Sequence, residues 1–285
     1  MAEVNHSAAL GRHTESQPAR KMGRMPHPRL RAGDESEDMT TQITPASATA
    51  DATLRPALPG GDGERFTGFG IMGIAFATGH YLALRVWTET TIGDPYRSVW
   101  HRDPQGRWHM YVTAPPDRSC PRYFSAAASY ERVPRIELTW TDADRLSVRI
   151  PRTLAWDITL EATTATRAMS TLAGAMPPAA RSSDPLLAAM GPMSRPMLRA
   201  GRMRLTGASP NRQHFQVVPL RVWSVASSTA TIDGDELGSM HPLEEQSRLG
   251  DFWMPQRGIF YVGEARFESF DPLRHLAPGL TADAA

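Results

Sequence analysis

The sequence is most constrained by a strict alternation of apolar and polar residues between positions 135 and 163. Side chains of a β-strand point alternately to opposite faces, so a period of two predicts strands that each bury one face. A Thr-Asp-Ala-Asp turn separates the first two of three such runs. Their apolar sets are Ile136, Leu138 and Trp140, then Leu146, Val148 and Ile150, then Leu154, Trp156, Ile158 and Leu160. The stretch therefore predicts a three-stranded meander.

Strand patterns continue on both sides of this meander. The segment YLALRVWTET places Leu82, Leu84 and Val86 on one face, as expected of a strand. Strand-like alternation returns after Gly201, and the end of LGDFWMPQRGIFYVGEARFESF predicts a closing strand.

The intervening residues 162–200 have a different composition, rich in Ala, Leu and Met. Asp184, or the serine before it, is a good helix start because its side chain can cap the first turn and a proline follows. Pro192 and Pro196 are expected to kink or break the helix that begins there. This segment predicts a helical insert.

The order of strands, helical insert and strands, without regular βαβ spacing, predicts a mainly β fold. We expect a β-barrel or cone-like domain over residues 63–272, built as one barrel or as two half-barrels, with a lipocalin-like barrel as the alternative. Residues 1–62 are poor in large apolar side chains and predict a disordered N-terminal tail. Residues 273–285 predict a frayed C-terminal tail.

Composition excludes several classes of chemistry. The formal net charge of +1 gives no reason to expect a nucleic-acid partner. Lys21 is the only lysine, so the predicted domain has none to form a Schiff base. The single cysteine, Cys120, cannot form a disulfide within the chain.

The sequence also lacks the marks of a membrane or secreted protein. No run reaches the roughly 18 apolar residues that a spanning helix requires, and the N-terminus lacks the pattern of a signal peptide. We therefore expect a cytoplasmic protein without a membrane span, and a homo-oligomer stays open.

The stretch DPYRSVWHRDPQGRWHMYV predicts a hairpin, because its DPQG segment is typical of a turn. If Asp103 faces Gly106, then His101 pairs with Trp108. His101 and His109 would then lie on opposite faces, so they could not share a metal ion, which needs three or four converging ligands. We expect neither a metal nor another cofactor.

In that register, one face of the hairpin carries Tyr96, Trp100, His109 and Tyr111. Aromatic rings with hydrogen-bonding tips line small-molecule cavities, and they also occur on half-exposed outer sheets. On the first interpretation, Tyr96, Trp100 and Tyr111 bind a ligand and His109 is a candidate acid–base group.

Three further charged side chains are candidates. Arg122 could grip a carboxylate through a bidentate pair, or form a surface salt bridge. Proline and glycine bracket Arg257, which is expected to project from a turn as an anion contact. Glu264 follows on the next strand, where it could pair with an arginine or transfer a proton.

The segments GDPYRS, CPRYFSAAAS and GRMRLTGASPNRQHFQVVPLRVWSVASSTATIDGDEL follow one another in an order that carries a family resemblance. Over residues 66–240 the chain resembles the acetoacetate decarboxylase-like superfamily, small β-barrel or cone-shaped proteins with an enclosed hydrophobic cavity. The resemblance implies an apolar cavity here, with Arg85, Tyr96 and Arg122 as polar contacts.

Departures from that family limit what the resemblance implies. The family's catalytic glycine-x-proline-lysine-lysine motif would fall on residues 123–128, which contain no lysine. Its proline-tyrosine-x-glutamate element would fall on Pro95 to Ser98, where serine replaces the acid. The fold and the cavity are implied, and Schiff-base decarboxylation is not.

Three functions remain open from the sequence. The first is binding of a small, largely apolar molecule, with a carboxylate or carbonyl group, in the barrel cavity. The second is a metal- and cofactor-free enzyme of the isomerase, hydratase or cyclase type, in which His109 or Glu264 moves a proton and Arg257 stabilises negative charge. The third is a protein-interaction module that uses the Met-rich helices.

Overall fold

The structure is a computed structural model that describes residues 43–277, apart from the side chains of 193–195. In chain order, the helices are α1 (Pro45–Leu54), α2 (Pro121–Phe124), α3 (Thr164–Ala175), α4 (Pro178–Arg181) and α5 (Asp184–Leu198). The strands are β1 (Glu64–Ala75), β2 (Tyr81–Thr90), β3 (Tyr96–Arg102), β4 (Trp108–Val112), β5 (Ser129–Arg132), β6 (Glu137–Trp140), β7 (Arg145–Ile150), β8 (Leu154–Glu161), β9 (Thr206–Ala208), β10 (His214–Ile232), β11 (Asp235–Glu236), β12 (Arg248–Leu249), β13 (Phe252–Trp253) and β14 (Ile259–Phe267).

One large sheet dominates the described chain, in the order β5-β4-β3-β2-β1-β14-β10-β8-β7-β6. Neighbours are antiparallel except for the parallel pair β4 and β5. The mainly β prediction is confirmed, with the sheet curled into a half-barrel. The lipocalin-like alternative does not fit, because that barrel is an up-and-down meander, whereas here β14 lies between β1 and β10.

Strand β10 is long enough to join two parts of the sheet. Residues 215–224 pair with β14, and residues 224–232 pair with β8. Its pairing shifts between Pro219 and Arg221 and again between Val225 and Ser227. Such bulges bend a strand and increase its twist, which curls the sheet.

Close packing at the centre of the sheet requires glycine. Gly68 on β1 is paired with Gly263 on β14. A Cβ at Gly68 would lie 2.0 Å from the Val86 carbonyl oxygen, and one at Gly263 would lie 2.2 Å from the Val218 oxygen. Only a residue without a side chain allows the backbones to approach this closely.

The sheet buries side chains on both faces. The predicted meander is confirmed as β6, β7 and β8, and its apolar positions from Leu146 to Leu160 pack on one face with Leu84 and Phe260. The other face packs a second cluster that includes Trp100, together with the side chains of α2. The candidate site lies on this second face.

The helical insert is also confirmed, as α3, α4 and α5. Helix α5 begins at Asp184, the predicted start, and continues through Pro192 and Pro196, so of the predicted kink or break, the break does not occur. Packing compensates for the lost backbone hydrogen bonds, since Leu187 is fully buried in a cluster with Val218 of β10.

Within residues 43–277, no helix is long and apolar enough to cross a membrane.

The predicted disordered tail needs correction where the structure describes it. Residues 45–54 form α1, which begins after a capping box between Thr44 and Ser47 and buries Ala48 and Thr49. The cap satisfies free N–H groups of the first turn, and the buried side chains offset the ordering entropy. Residues 1–42 lie outside the described part.

The C-terminal prediction needs a similar correction. His275 and Leu276 are buried, the first against Glu268 with Nε2 and Oε1 2.8 Å apart. The Leu276 amide donates to the Asn211 carbonyl. The chain is therefore packed against the domain at residues 275 and 276, and residues 278–285 lie outside the described part.

The predicted register of the β3–β4 hairpin is wrong by one residue. Asp103 pairs with Arg107 and not with Gly106, and the Gly106 amide donates to the Asp103 carbonyl at 3.0 Å. Gly106 has a φ of 88°, so the turn contains an extra residue in the left-handed region, as in a glycine bulge. His101 consequently faces His109, and the two rings share a face of the sheet.

Candidate ligand cavity

A cavity lies on the second face of the sheet, between strands β1, β2, β3 and β14 and helix α2. Its free volume is about 30 Å³, which exceeds the roughly 10–15 Å³ that one water molecule needs. The walls are mainly aromatic and almost wholly apolar, and Arg85, Tyr96, Cys120 and Tyr261 are among the lining residues. An apolar space with a few converging polar groups is typical of a small-molecule site.

Arg85 provides the charge of the cavity. Strand β2 alternates, so Leu84 and Val86 enter the first core while Arg85 points to the second face. Only 6% of Arg85 is exposed. Its guanidinium carbon lies 4.8 Å from the centre of the Trp100 ring and 5.8 Å from that of Tyr261.

The hydrogen bonds of Arg85 leave one edge of the guanidinium free. Nη1 donates to the carbonyls of Ile71 at 2.6 Å and Leu84 at 2.9 Å, and Nη2 makes a long contact of 3.4 Å to the Met72 carbonyl. Among the described residues, no carboxylate forms an ion pair with Arg85, and its Nε donates to no acceptor. The Nε–Nη2 edge can donate two parallel hydrogen bonds to one carboxylate.

Tyr261 adds a neutral donor to the same space. The residue is 2% exposed, and within residues 43–277 its hydroxyl has no hydrogen-bond partner. Burial raises the pKa of Tyr261, Arg85 partly opposes this and Cys120 adds to it, so the hydroxyl keeps its proton at neutral pH. A ligand acceptor would give this hydroxyl a partner.

A chain of polar contacts crosses the cavity wall on strand β3. The Trp100 indole Nε1–H donates to Ser98 Oγ at 3.2 Å, and Ser98 Oγ lies 3.3 Å from Cys120 Sγ. The Tyr96 hydroxyl lies 3.5 Å from the same sulfur. Burial first, and then Cys120, raise the pKa of Tyr96 well above its usual range, so this hydroxyl keeps its proton at neutral pH. The structure thus brings together the two predicted residues Tyr96 and Trp100.

Arg122 lies behind the cavity wall and not in it. Its Nη2 is 2.6 Å from Glu64 Oε1, and the Tyr123 hydroxyl makes a short hydrogen bond to Glu64 Oε2. Gln213 Nε2 donates to the same carboxylate at 3.2 Å. The predicted anion contact at Arg122 is therefore occupied by a carboxylate of the chain itself.

His109 and Tyr111 lie on the opposite face of the sheet from the cavity, because of the corrected register. His109 Nδ1 is 2.8 Å from Ser129 Oγ, and the Tyr111 ring packs edge-on against the His109 ring. His101 Nε2 is 2.8 Å from His80 Nδ1. Among the described residues, no three His, Cys, Asp or Glu side chains are grouped so as to hold a metal ion.

Glu264 and Arg257 are also outside the cavity. Glu264 forms ion pairs with Arg181 at 3.2 Å and Arg266 at 3.3 Å. Its neighbour Ala265 lines the cavity, so strand alternation directs Glu264 to the other face. Arg257 projects from a turn as predicted and is exposed.

The polar groups that the structure assembles were largely missed by residue patterns. The family resemblance pointed to Arg85, but the patterns did not point to Tyr261 or Cys120. The available signal was Arg85 itself, a lone charge within the apolar run LALRVW. A buried charge needs a partner or a ligand, which marks such a position as a candidate binding residue.

Comparison with known proteins yields a similarity in structure only. No protein-family model matches the sequence, and no curated protein matches it. The fold is similar to a crystal structure of acetoacetate decarboxylase from Legionella pneumophila, with 9% identity and a TM-score of 0.39, over 82% of this chain and 97% of that one.

Proposed function

We propose that the protein binds a short-chain carboxylate with an apolar body in the Arg85 cavity. The observation that carries this proposal is a buried guanidinium whose Nε has no acceptor, whose Nη2 makes only one long hydrogen bond and which, among the described residues, has no carboxylate partner. Isolating a cation from water is costly, and a ligand carboxylate would offset that cost. The aromatic walls would hold the rest of the ligand.

The partners of the ligand follow from the geometry. The carboxylate accepts from Nε and Nη2 of Arg85, and the Tyr261 hydroxyl supplies a third donor. Met72 and Phe252 are the partly exposed lining residues, so the ligand enters beside them. The cavity is small, so the shortest carboxylates fit it best.

Calorimetric titration with butanoate tests the proposal. We expect butanoate to bind, and the neutral, similarly shaped butanamide to bind about tenfold more weakly or not at all, since hydrogen bonds to a charged group contribute roughly 1.5–3 kcal/mol. Arg85→Gln should lose the preference for butanoate. Arg257→Gln, which removes an exposed guanidinium, is the matched control and should retain it. Equal affinity for both compounds in the wild-type protein would refute the proposal.

The other two hypotheses have less support. A proton-transferring role for His109 or Glu264 would need a ligand elsewhere, because neither side chain lines the cavity. An interaction surface of methionines would need several exposed side chains; Met176 and Met203 are buried in core clusters, and Met197 is exposed.

A further inference from the structure

Cys120 is a nucleophile that the proposed binding function does not use. It is the only cysteine of the chain, it is 4% exposed, and it lines the same cavity as Arg85. A buried thiol is often inert, so a chemical role for Cys120 needs evidence beyond the presence of a sulfur atom.

The surroundings of the sulfur are polar on the side of strand β3. Because Ser98 Oγ accepts from the Trp100 indole, its own proton is available to Cys120 Sγ at 3.3 Å. The Tyr96 hydroxyl lies 3.5 Å away and can also donate to the sulfur. Two hydroxyl groups within reach of one sulfur can donate to it and so stabilise the negative charge that develops as a thiolate forms.

Two other groups show that this space is built for a ligand. The Tyr261 hydroxyl, in a residue that is 2% exposed, has no partner within residues 43–277. Arg85 lines the same cavity. A carboxylate held by these groups would have its carbon chain beside the sulfur, since the cavity is small.

We propose that Cys120 is a covalent attachment site for short-chain α,β-unsaturated carboxylates bound by Arg85. The sulfur attacks the β-carbon, an S–C bond forms, and the π bond of the alkene breaks. The thiol proton ends on the α-carbon, relayed by the hydroxyl of Tyr96 or Ser98. The addition consumes no oxidant and releases no leaving group. This inference rests on the proposed function, because Arg85 orients the carboxylate.

Intact-mass spectrometry of the full chain tests the step directly. Incubation with trans-2-butenoate should add the mass of one whole 2-butenoate. Butanoate, which lacks the double bond, should add nothing, and Cys120→Ser should remain unmodified. Because the chain has one cysteine, the mass reports on Cys120 alone.

Alkylation with iodoacetate and iodoacetamide tests whether the positive charge of Arg85 directs a carboxylate to the thiol. The two reagents differ in carrying a carboxylate or an amide, and the chain unfolded in denaturant gives their intrinsic ratio of rates. We expect the ratio of the iodoacetate rate to the iodoacetamide rate to be about tenfold higher for the folded protein than for the unfolded chain. One charge-assisted hydrogen-bonded pair has an effect of this size. Butanoate should protect the thiol, and Arg85→Gln should remove the preference. These wild-type comparisons do not depend on whether that variant folds.

The outcomes separate this inference from the proposed function. If butanoate binds and discriminates against butanamide, but the folded protein gains no 2-butenoate mass and shows no preference for iodoacetate, the role of Cys120 is refuted and the binding function stands. If butanoate also fails to bind, both are refuted.

Discussion

The guanidinium of Arg85 lies over the face of Trp100, 4.8 Å from the ring centre, and the indole N–H of Trp100 points away to Ser98 Oγ. The ring therefore supports the charge with its π face while its own polar group is satisfied elsewhere. A desolvated cation–π contact contributes on the order of 0.5–2 kcal/mol.

A double-mutant cycle with Arg85→Met and Trp100→Leu should reveal this coupling. We expect the two changes to be non-additive by about 0.5–2 kcal/mol in the free energy of unfolding, measured by chemical denaturation. The pair Arg85→Met and Trp140→Leu is the control, since Trp140 packs on the other face of the sheet. Additivity of the Arg85 and Trp100 changes would show that the ring does not stabilise the cation.

The His80–His101 pair should make stability fall at mildly acidic pH. Burial, and then the neighbouring His80, lower the pKa of His101 to about 4 from 6.5, with His109 adding to the effect and Asp103 opposing it. Burial also lowers the pKa of His80, against the opposing charges of Asp103 and Asp235. The unfolded chain therefore binds more protons than the folded chain between pH 6.5 and 4, so stability is lost as the pH falls through this window.

The size of the pH effect can be measured. We expect His101 to contribute up to about 3 kcal/mol to the change in unfolding free energy between pH 7 and pH 4. His101→Gln should flatten the profile, whereas His241→Gln, at an exposed position, should leave it unchanged. A profile that is equally steep in both variants would contradict the prediction.

Glu64 should be a major determinant of stability behind the cavity. Its carboxylate accepts from Arg122, Tyr123 and Gln213, and the side chain of Arg122 is itself largely buried. Glu64→Gln leaves the guanidinium without a counter-charge, which typically costs about 3–5 kcal/mol. Glu131→Gln, whose carboxylate is largely exposed, is the matched control and should change stability by less than about 1 kcal/mol. Urea denaturation of both variants makes the comparison, and a similar loss in each would rule out the buried network as the cause.

Gly106 should be required for the β3–β4 register. Its φ of 88° lies in the left-handed region, and a Cβ there would also lie 3.2 Å from Arg102 Nη2. Gly106→Ala should lower the unfolding free energy by roughly 1–2 kcal/mol. Gly60→Ala, where a Cβ would meet nothing within 4 Å, should have little effect. Thermal denaturation of the two variants distinguishes a need for positive φ from a general cost of losing glycine.

Local patterns in the sequence determined the secondary structure wherever periodicity was long and regular. The alternation from Ile136 to Leu160 predicted three strands and their buried faces, because a period of two is a property of a single strand. The start of α5 at Asp184 was readable for the same reason, since a helix cap is a local signal. The helix α1 also carried a cap at Thr44, but the surrounding Ala- and Ser-rich composition obscured it.

Tertiary structure decided the register and the site. One left-handed glycine in the β3–β4 turn moved His109 and Tyr111 to the opposite face from Trp100, a change that the alternating pattern could not reveal because both registers preserve it. The cavity joins Arg85 of β2 to Tyr261 of β14, although they are far apart in the chain, because β1 pairs with both strands. Periodicity specifies which face of a strand is buried, but strand pairing depends on long-range packing. That packing alone placed Arg85, Tyr261 and Cys120 around one cavity.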